Sequence, residues 1–392
     1  MTNLANLLAQ GQRYLCLVFL IFLSTGHFTV AQGSSSDPKL STSLQPDATS
    51  LWRAISTQYG MTDRFDNNIK QRALQYTHYE EGFELMLRRA SRYLYFVLNE
   101  LEKRGLPSEL ALIPFIESGY DPTSKTGVKP MGMWGLMPVA AAHLNMTSNL
   151  FWDDRRDIVH SARGALDLLS ELHTKFGDWE VAIVAYNWGP GKVSREIATL
   201  KAKGLPAIAQ NMKLPTITKN YLQKLYALKH IITHPELYGI KLPEVKATPY
   251  FTEIDLPFDL DISTAIELSG LTHAEFVALN PGWSTVLIPS QTSRKMLLPV
   301  AMKDSFSKKL HLKRTEIYAW TTYKLERTKS LSELAKHLGV PIKTLSVSNR
   351  LLPGDTIKAG SVVLAPDHGK TASSLPAELV VSAQIKTQRA RD

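Results

Sequence analysis

Between about residues 50 and 240 the apolar positions recur at three- and four-residue steps. Phe83, Leu85, Met86, Ala90, Tyr93, Leu94, Val97, Leu98 and Leu101 form one such series. This period puts apolar side chains on one face of a helix. The same pattern predicts a helix over about 158–176, with Ala162, Ala165, Leu166, Leu168 and Leu169 inward. A further helix is predicted over about 178–188, stopped by Gly189-Pro190-Gly191. A helix is also expected to begin at Leu106-Pro107-Ser108, with Ser108 as N-cap, and to run into Glu117. Pro114 inside it should bend it.

After Leu242-Pro243 the period changes. Residues 250–300 carry apolar, strand-like ends around 250–256 and 295–300, with two short helical patterns between them. Residues 318–366 repeat that layout. A strand-helix-helix-strand unit occurring twice predicts two small related α+β modules behind a helical domain. The fold class is therefore mainly α, followed by small α+β modules. Expected boundaries are 50–240 for the helical domain, 245–302 and 316–367 for the modules, and 368–392 for a polar, disordered tail.

The N-terminus follows another logic. Arg13 precedes the apolar run Tyr14–Leu23, and Thr29-Val30-Ala31 offers small residues for cleavage. Residues 1–32 are expected to be an export signal and the Ser- and Pro-containing stretch 33–49 a linker. The apolar run is short for a membrane span, although an uncleaved segment would hold the chain at the membrane. An exported protein of the periplasm or cell envelope is expected.

Composition narrows the chemistry. The chain has 392 residues, a net charge of +9 and a pI near 9.3, which suits an anionic polymer or lipid partner. The charge is spread out and lacks interleaved basic and aromatic motifs, so nucleic acid is not expected. The single cysteine, Cys16, precludes an internal disulfide. His230 and His234 stand four apart without a third ligand beside them, so packing is the expected role and no metal or cofactor is predicted.

One stretch stands out chemically. Ala111-Leu-Ile-Pro-Phe-Ile-Glu117-Ser118-Gly119-Tyr120-Asp121-Pro122 ends an apolar run with a lone carboxylate. In a last helical turn, among apolar neighbours, that carboxyl would resist ionisation and could act as a general acid. A Glu pointing into water from a helix end is the other reading of the same residues.

The motif continues with Thr126-Gly127, Gly132-Met133-Trp134 and Met137-Pro138. Far downstream comes Ala185-Tyr186-Asn187-Trp188-Gly189-Pro190-Gly191. Together, over roughly residues 75–235 with core motifs in 107–235, these resemble the lytic murein transglycosylases with a soluble-lytic-transglycosylase, goose-type lysozyme-like domain. Trp152-Asp153-Asp154-Arg155-Arg156-Asp157, and Leu214-Pro215 through Tyr221 and Lys224, resemble the membrane-bound lytic murein transglycosylase D branch. Residues 318–366 resemble a LysM peptidoglycan-binding module through Ser330-Leu331, Gly339-Val340, Asn349 and Pro353-Gly354. Its usual Gly-Asp-Thr-Leu opening is degraded here to Thr328-Lys329-Ser330-Leu331. Residues 250–300, with Asn280 as the corresponding asparagine, look like a more degenerate copy.

The resemblance implies a monomer that cuts the β-1,4 bond between N-acetylmuramic acid and N-acetylglucosamine in peptidoglycan and leaves 1,6-anhydromuramoyl ends. It implies Glu117 as the sole acid and base. It also implies substrate contacts from Ser118, Thr126, Gly127, Gly132, Met133, Trp134, Met137, Tyr186, Asn187 and Tyr221. Core packing of Tyr186 and Trp134, and a helix-end cap for Asn187, are the alternatives. Two positions depart from the family: Gly135 where Gln is common, and Ile217 where Glu is common. Both are expected to remove substrate contacts. A hydrolytic muramidase and a silent peptidoglycan-binding protein remain as other functions.

Overall fold

The computed structural model describes residues 51–125, 131–385 and 387–388. Residues 1–32 and 33–49, expected to be an export signal and a linker, and Thr126 and Gly127 lie outside the described residues. The described chain is mainly α, with small α+β units after residue 250, in line with the periodicity.

The helical part begins with α1 (Leu51–Thr57), α2 (Asn67–His78), α3 (Glu80–Ala90) and α4 (Leu94–Arg104). A 3-10 turn over Ser108–Leu112 then leads into α5 (Ile113–Ser118), which carries Glu117. The single bent helix expected here is thus two pieces. Pro114 falls in the first turn of α5, where its missing N–H has no helical acceptor to lose. Ser108 is not a cap; its hydroxyl donates to Ile55 O at 2.7 Å, tying this turn to α1.

Then follow α6 (Pro138–His143), α7 (Ile158–Phe176), α8 (Trp179–Trp188), α9 (Pro190–Ala202) and α10 (Thr216–Thr233). Helix α7 starts where Asp157 accepts from the N–H groups of Val159 and His160, and Asp178 caps α8 in the same way through Val181. Gly189 ends α8, and Pro190 then serves as the first residue of α9. Val181, Ala182, Ile183, Val184 and Ala185 are all fully buried, because α8 packs against α7, α9 and α10 at once. Each such Val or Ile contributes about 1.5–3 kcal/mol of burial, so this central helix is a rigid support for Tyr186 at its end.

The first small unit contains β1 (Phe251–Ile254), β2 (Leu260–Asp261), α11 (Ile262–Ser269), α12 (His273–Leu279), β3 (Leu287–Ile288) and β4 (Met296–Pro299). β1 and β4 pair antiparallel, with Phe251 opposite Pro299. Helix α13 (Lys303–Leu312) leads to the second unit, made of β5 (Tyr318–Lys324), β6 (Lys329–Ser330), α14 (Leu331–Leu338), α15 (Ile342–Asn349), β7 (Thr356–Ile357) and β8 (Val362–Thr371). Here β5 and β8 pair antiparallel.

The repeat is visible in single hydrogen bonds. Asn280 bridges its helix to the last strand through Leu297 N and Leu297 O, both at 2.8 Å. Asn349 does the same through Leu364 O at 2.8 Å and Leu364 N at 2.7 Å. The degraded Ser330-Leu331 opening still makes a capping box with Glu333.

The first unit is welded to the helical part. Leu150, Phe151 and Trp152 share its core with Phe258, Leu260, Phe276 and Trp283. Leu279 and Leu297 join the core of the helices. The Tyr93 hydroxyl donates to Ala278 O at 2.7 Å, and Asp153 N donates to Gly282 O at 2.9 Å.

The tail expected to be disordered from residue 368 instead carries regular elements among its described residues. β8 runs on to Thr371 and α16 spans Ala377–Ser382; β9 (Thr387–Gln388) pairs with β7. The reason is apolar anchoring: Leu375, Val380 and Ala383 are buried in the first unit's core. Asp259 accepts from Leu375 N at 2.7 Å. A few well-spaced apolar residues sufficed in a stretch whose average composition is polar.

Candidate active site

Glu117 sits in the last turn of α5, half-buried, and Gly119 closes the helix. Its carboxylate meets three elements. From α10, the Tyr221 hydroxyl donates to Oε1 at 2.8 Å. From the loop before α6, the backbone of Gly135 lies so close that a Cβ there would stand 2.3 Å from Oε2. From α8, Tyr186 lies in the field of the carboxylate.

Burial pushes the Glu117 carboxyl up to about 7, against the opposing pull of the Tyr221 hydrogen bond and the positive charge of Lys224. The helix end anticipated from the sequence is present, but removal from water is the main cause. Burial also drives the phenols of Tyr186 and Tyr221 well above their ordinary range, and the Glu117 charge adds to this. Both therefore stay neutral and can donate. Among the described residues no acidic side chain contributes to the Glu117 shift. Asp121 is engaged elsewhere, with Arg89 at 3.0 Å and the Thr123 hydroxyl at 2.6 Å.

The loop carrying Gly135 is held in place locally. Met131 and Leu136 exchange backbone hydrogen bonds at 3.2 and 3.3 Å. Gly132 has a positive φ of 75°, and a Cβ there would meet Arg155 O at 2.0 Å, so only glycine fits. The Tyr186 hydroxyl donates to Trp134 O at 2.7 Å, pinning the loop to α8. The Ser118 hydroxyl donates to Met133 O at 2.8 Å and accepts from Asp121 N at 3.1 Å, pinning it to α5.

Several expected substrate contacts are thereby reassigned. Met133 and Trp134 are fully buried and cannot line a groove; they are core. The Ser118 hydroxyl is used on the backbone. Asn187 accepts from the buried Thr218 hydroxyl at 2.9 Å, joining α8 to α10 rather than capping a helix. Gly132 is buried as a packing position. Met137 is exposed, and Tyr186 and Tyr221 are the predicted residues brought beside Glu117. Ile217 is 73% exposed on the first turn of α10. His230 stacks on Phe65 and hydrogen-bonds with the Tyr238 hydroxyl, as expected of a packing histidine. Two clefts of about 470 and 490 Å³ lie away from Glu117. In the former, Arg64 and Gln210 both bind Glu180, at 2.5 and 2.9 Å.

With this geometry in place, comparison with known proteins is informative. Residues 95–206 match the family model for the transglycosylase SLT domain. Glu117 and Tyr186 fall inside it, and Tyr221 lies beyond its matched end. The chain is 27% identical over 331 residues to membrane-bound lytic murein transglycosylase D of Escherichia coli, covering 81% of this chain and 73% of that one. It is 42% identical over 123 residues, 31% of this chain and 59% of the other, to an Alteromonas protein named for tributyltin chloride resistance. The structure of an inactive mutant of lytic transglycosylase Slt from Pseudomonas aeruginosa is 22% identical. That similarity covers 37% of this chain and 24% of that one, with a TM-score of 0.28. Among the described residues no helix is long and apolar enough to cross a membrane. The Trp152–Asp157 segment serves as the seat of the first small unit.

Proposed function

We propose that this chain is a peptidoglycan lytic transglycosylase with Glu117 as its catalytic acid and base. The observation that carries the reading is a single carboxyl that burial raises to about 7, with one oxygen fixed by Tyr221 and, among the described residues, no acidic side chain contributing to its shift. Glycosidases that use water as nucleophile employ two carboxyl groups. A single acid suits intramolecular displacement. Glu117 gives its proton to the glycosidic oxygen as the C1–O bond breaks. The carboxylate then takes the proton of the muramoyl C6 hydroxyl, whose oxygen closes on C1. The product is a 1,6-anhydromuramoyl end, and Glu117 is regenerated protonated.

Tyr221 holds Glu117 in line and stabilises its carboxylate between the two transfers. Tyr186 positions the Trp134–Gly135 backbone beneath the substrate, and Met137 offers an exposed apolar contact. The unit over residues 316–367 acts as a LysM-type tether to glycan, while the unit over 245–302 braces the catalytic part. Export by residues 1–32 brings the monomeric enzyme to the cell envelope, where it remodels the wall.

Digestion of isolated sacculi tests this. Mass spectrometry of the products should find anhydromuropeptides with wild type and none with Glu117→Gln. Reducing-end muropeptides alone would make the protein a hydrolytic muramidase. Unchanged sacculi and an unchanged cellular phenotype with Glu117→Gln would make it a silent wall-binding protein.

A further inference from the structure

Helix α10 brings a second polar residue to the side of Glu117. Tyr221 and Lys224 stand three apart on α10 and so share a face. Helix α2 packs against α10, and its Arg72 and Tyr76, four apart, share a face too. The two faces meet: Tyr76 acts on the Tyr221 phenol, and Arg72 repels Lys224. Two cations thus adjoin across the helices, and Lys224 also lies in the field of Glu117. Their charge is not balanced from within. Among the described residues neither Lys224 nor Arg72 has an ion-pair partner, and the carboxylate that attracts Lys224 is Glu117 itself. Arg72 Nη1 donates to Gln75 Oε1 at 2.8 Å on its own helix, but Arg72 Nε is buried without an acceptor. Buried N–H groups of folded proteins are nearly always paired.

The pair is least compensated when Glu117 is protonated, which is the state that begins the proposed reaction. We propose that Lys224 and Arg72 bind a carboxylate carried by the muramoyl residue and so select anionic over neutral glycan. The sugar backbone of peptidoglycan is neutral apart from the 3-O-lactyl group of N-acetylmuramic acid. The lactyl carboxyl is free on strands stripped of peptide; otherwise it is joined to a stem that bears carboxylates of its own. Either source supplies the charge that the pair lacks. Lys224 is half-buried and remains open to a ligand. Binding has a second consequence. The Lys224 charge pulls the Glu117 carboxyl towards ionisation, so an anion that neutralises Lys224 keeps Glu117 protonated for its first transfer. The identity of the anion rests on the function proposed above; the unbalanced pair does not.

The test uses Lys224→Met, Arg72→Met and Lys224→Arg in the full chain. The substrates are glycan strands with stems, strands stripped of peptide by an amidase, and both after conversion of their carboxyls to methylamides. On a carboxylate substrate each Met variant should raise KM about 10- to 100-fold, the scale of a lost charged hydrogen bond, with much less effect on kcat. On the methylamides wild type and variants should be alike, and Lys224→Arg should keep most of the wild-type binding. An effect confined to strands with stems assigns the stem carboxylates, and one confined to stripped strands assigns the lactyl carboxylate; both uphold the proposal. Lys224→Met should melt no lower than wild type, because a repulsion has been removed. KM unchanged on both carboxylate substrates, or losses equal on carboxylates and methylamides, would overturn the proposal. Calorimetry of the Glu117→Gln protein with N-acetylmuramic acid and with its tetrapeptide needs no turnover. An inert wild type would sink the proposed function. Binding that depends on Lys224 and disappears on methylamidation would still uphold the anion site, and its absence would sink that as well.

Discussion

The hydroxyl of Tyr221 donates to Glu117 Oε1 at 2.8 Å, across 104 residues of chain. The bond joins the end of α5 to the second turn of α10 and favours the ionised acid over the neutral one. A hydrogen bond to a charged group is worth about 1.5–3 kcal/mol. Its main effect should come when Glu117 has just given up its proton.

Tyr221→Phe removes this donor and leaves the ring in place. The Glu117 pKa, already about 7, should rise further, because the bond works to lower it. The alkaline limb of the pH–rate profile should move to higher pH, and maximal turnover should fall roughly 10- to 100-fold, the equivalent of that bond energy. A limb that moves to lower pH would show that Tyr221 does not stabilise the carboxylate.

Glu117 should also mark the stability of the protein. Its folded pKa of about 7 stands above the ordinary 4.5, so between these values the folded state binds more protons than the unfolded state. Stability then falls as pH rises through that window. Glu117→Gln has no proton to lose there. Melting temperatures of wild type and Glu117→Gln, followed from pH 4 to 8, should diverge, with the variant gaining relative stability as pH rises. Parallel curves would mean that the carboxyl titrates as if in water.

Ser118→Ala separates support from substrate contact. The hydroxyl bridges Met133 O and Asp121 N, so its loss leaves Met133 O short of this donor, while Asp121 N keeps its bond to Ser118 O at 3.3 Å. The expected cost is about 1–3 kcal/mol of stability. At temperatures where the variant remains folded, KM for glycan should not change. A raised KM with unchanged melting would return Ser118 to the groove.

Much of this was legible in the sequence, and the gaps have physical causes. The helical period and the paired asparagines Asn280 and Asn349 are local signals, and the structure carries both; the caps Asp157 and Asp178 were not read from the sequence. Glu117 was legible as an acid that closes an apolar run; that Tyr221 and the Gly135 backbone meet its carboxylate was not. Met133 and Trp134 misled because a motif records which residues recur together, not which way each side chain faces. The approach of the Gly135 backbone to a carboxylate 18 positions earlier was not legible, because a missing side chain leaves no mark on composition. The ordered tail escaped because Leu375, Val380 and Ala383 are too few to set a period. Their partners, such as Phe258 and Leu260, lie more than 100 residues away.

The junction between the helices and the first small unit turns on Asp154, which is 2% exposed. Arg294 donates to it twice, from Nε to Oδ1 at 2.9 Å and from Nη2 to Oδ2 at 2.6 Å, and Thr147 N adds a third bond at 2.7 Å. Burial alone would raise the Asp154 pKa, but these donors together hold it below the usual 3.8. Arg294→Met would strand a buried carboxylate, at a cost of about 3–5 kcal/mol. Adding Asp154→Asn should recover part of that loss, since the charge that lacked a partner is gone. A carboxyl with a lowered folded pKa contributes stability above its unfolded value and loses it as pH falls. The gap in melting temperature between wild type and Arg294→Met should therefore be full near pH 7 and narrow below about pH 4. Thermal unfolding of the two single variants and the double variant at both pH values measures this. Strictly additive losses, or a gap that widens on acidification, would show that the pair does not hold the first unit to the helical part.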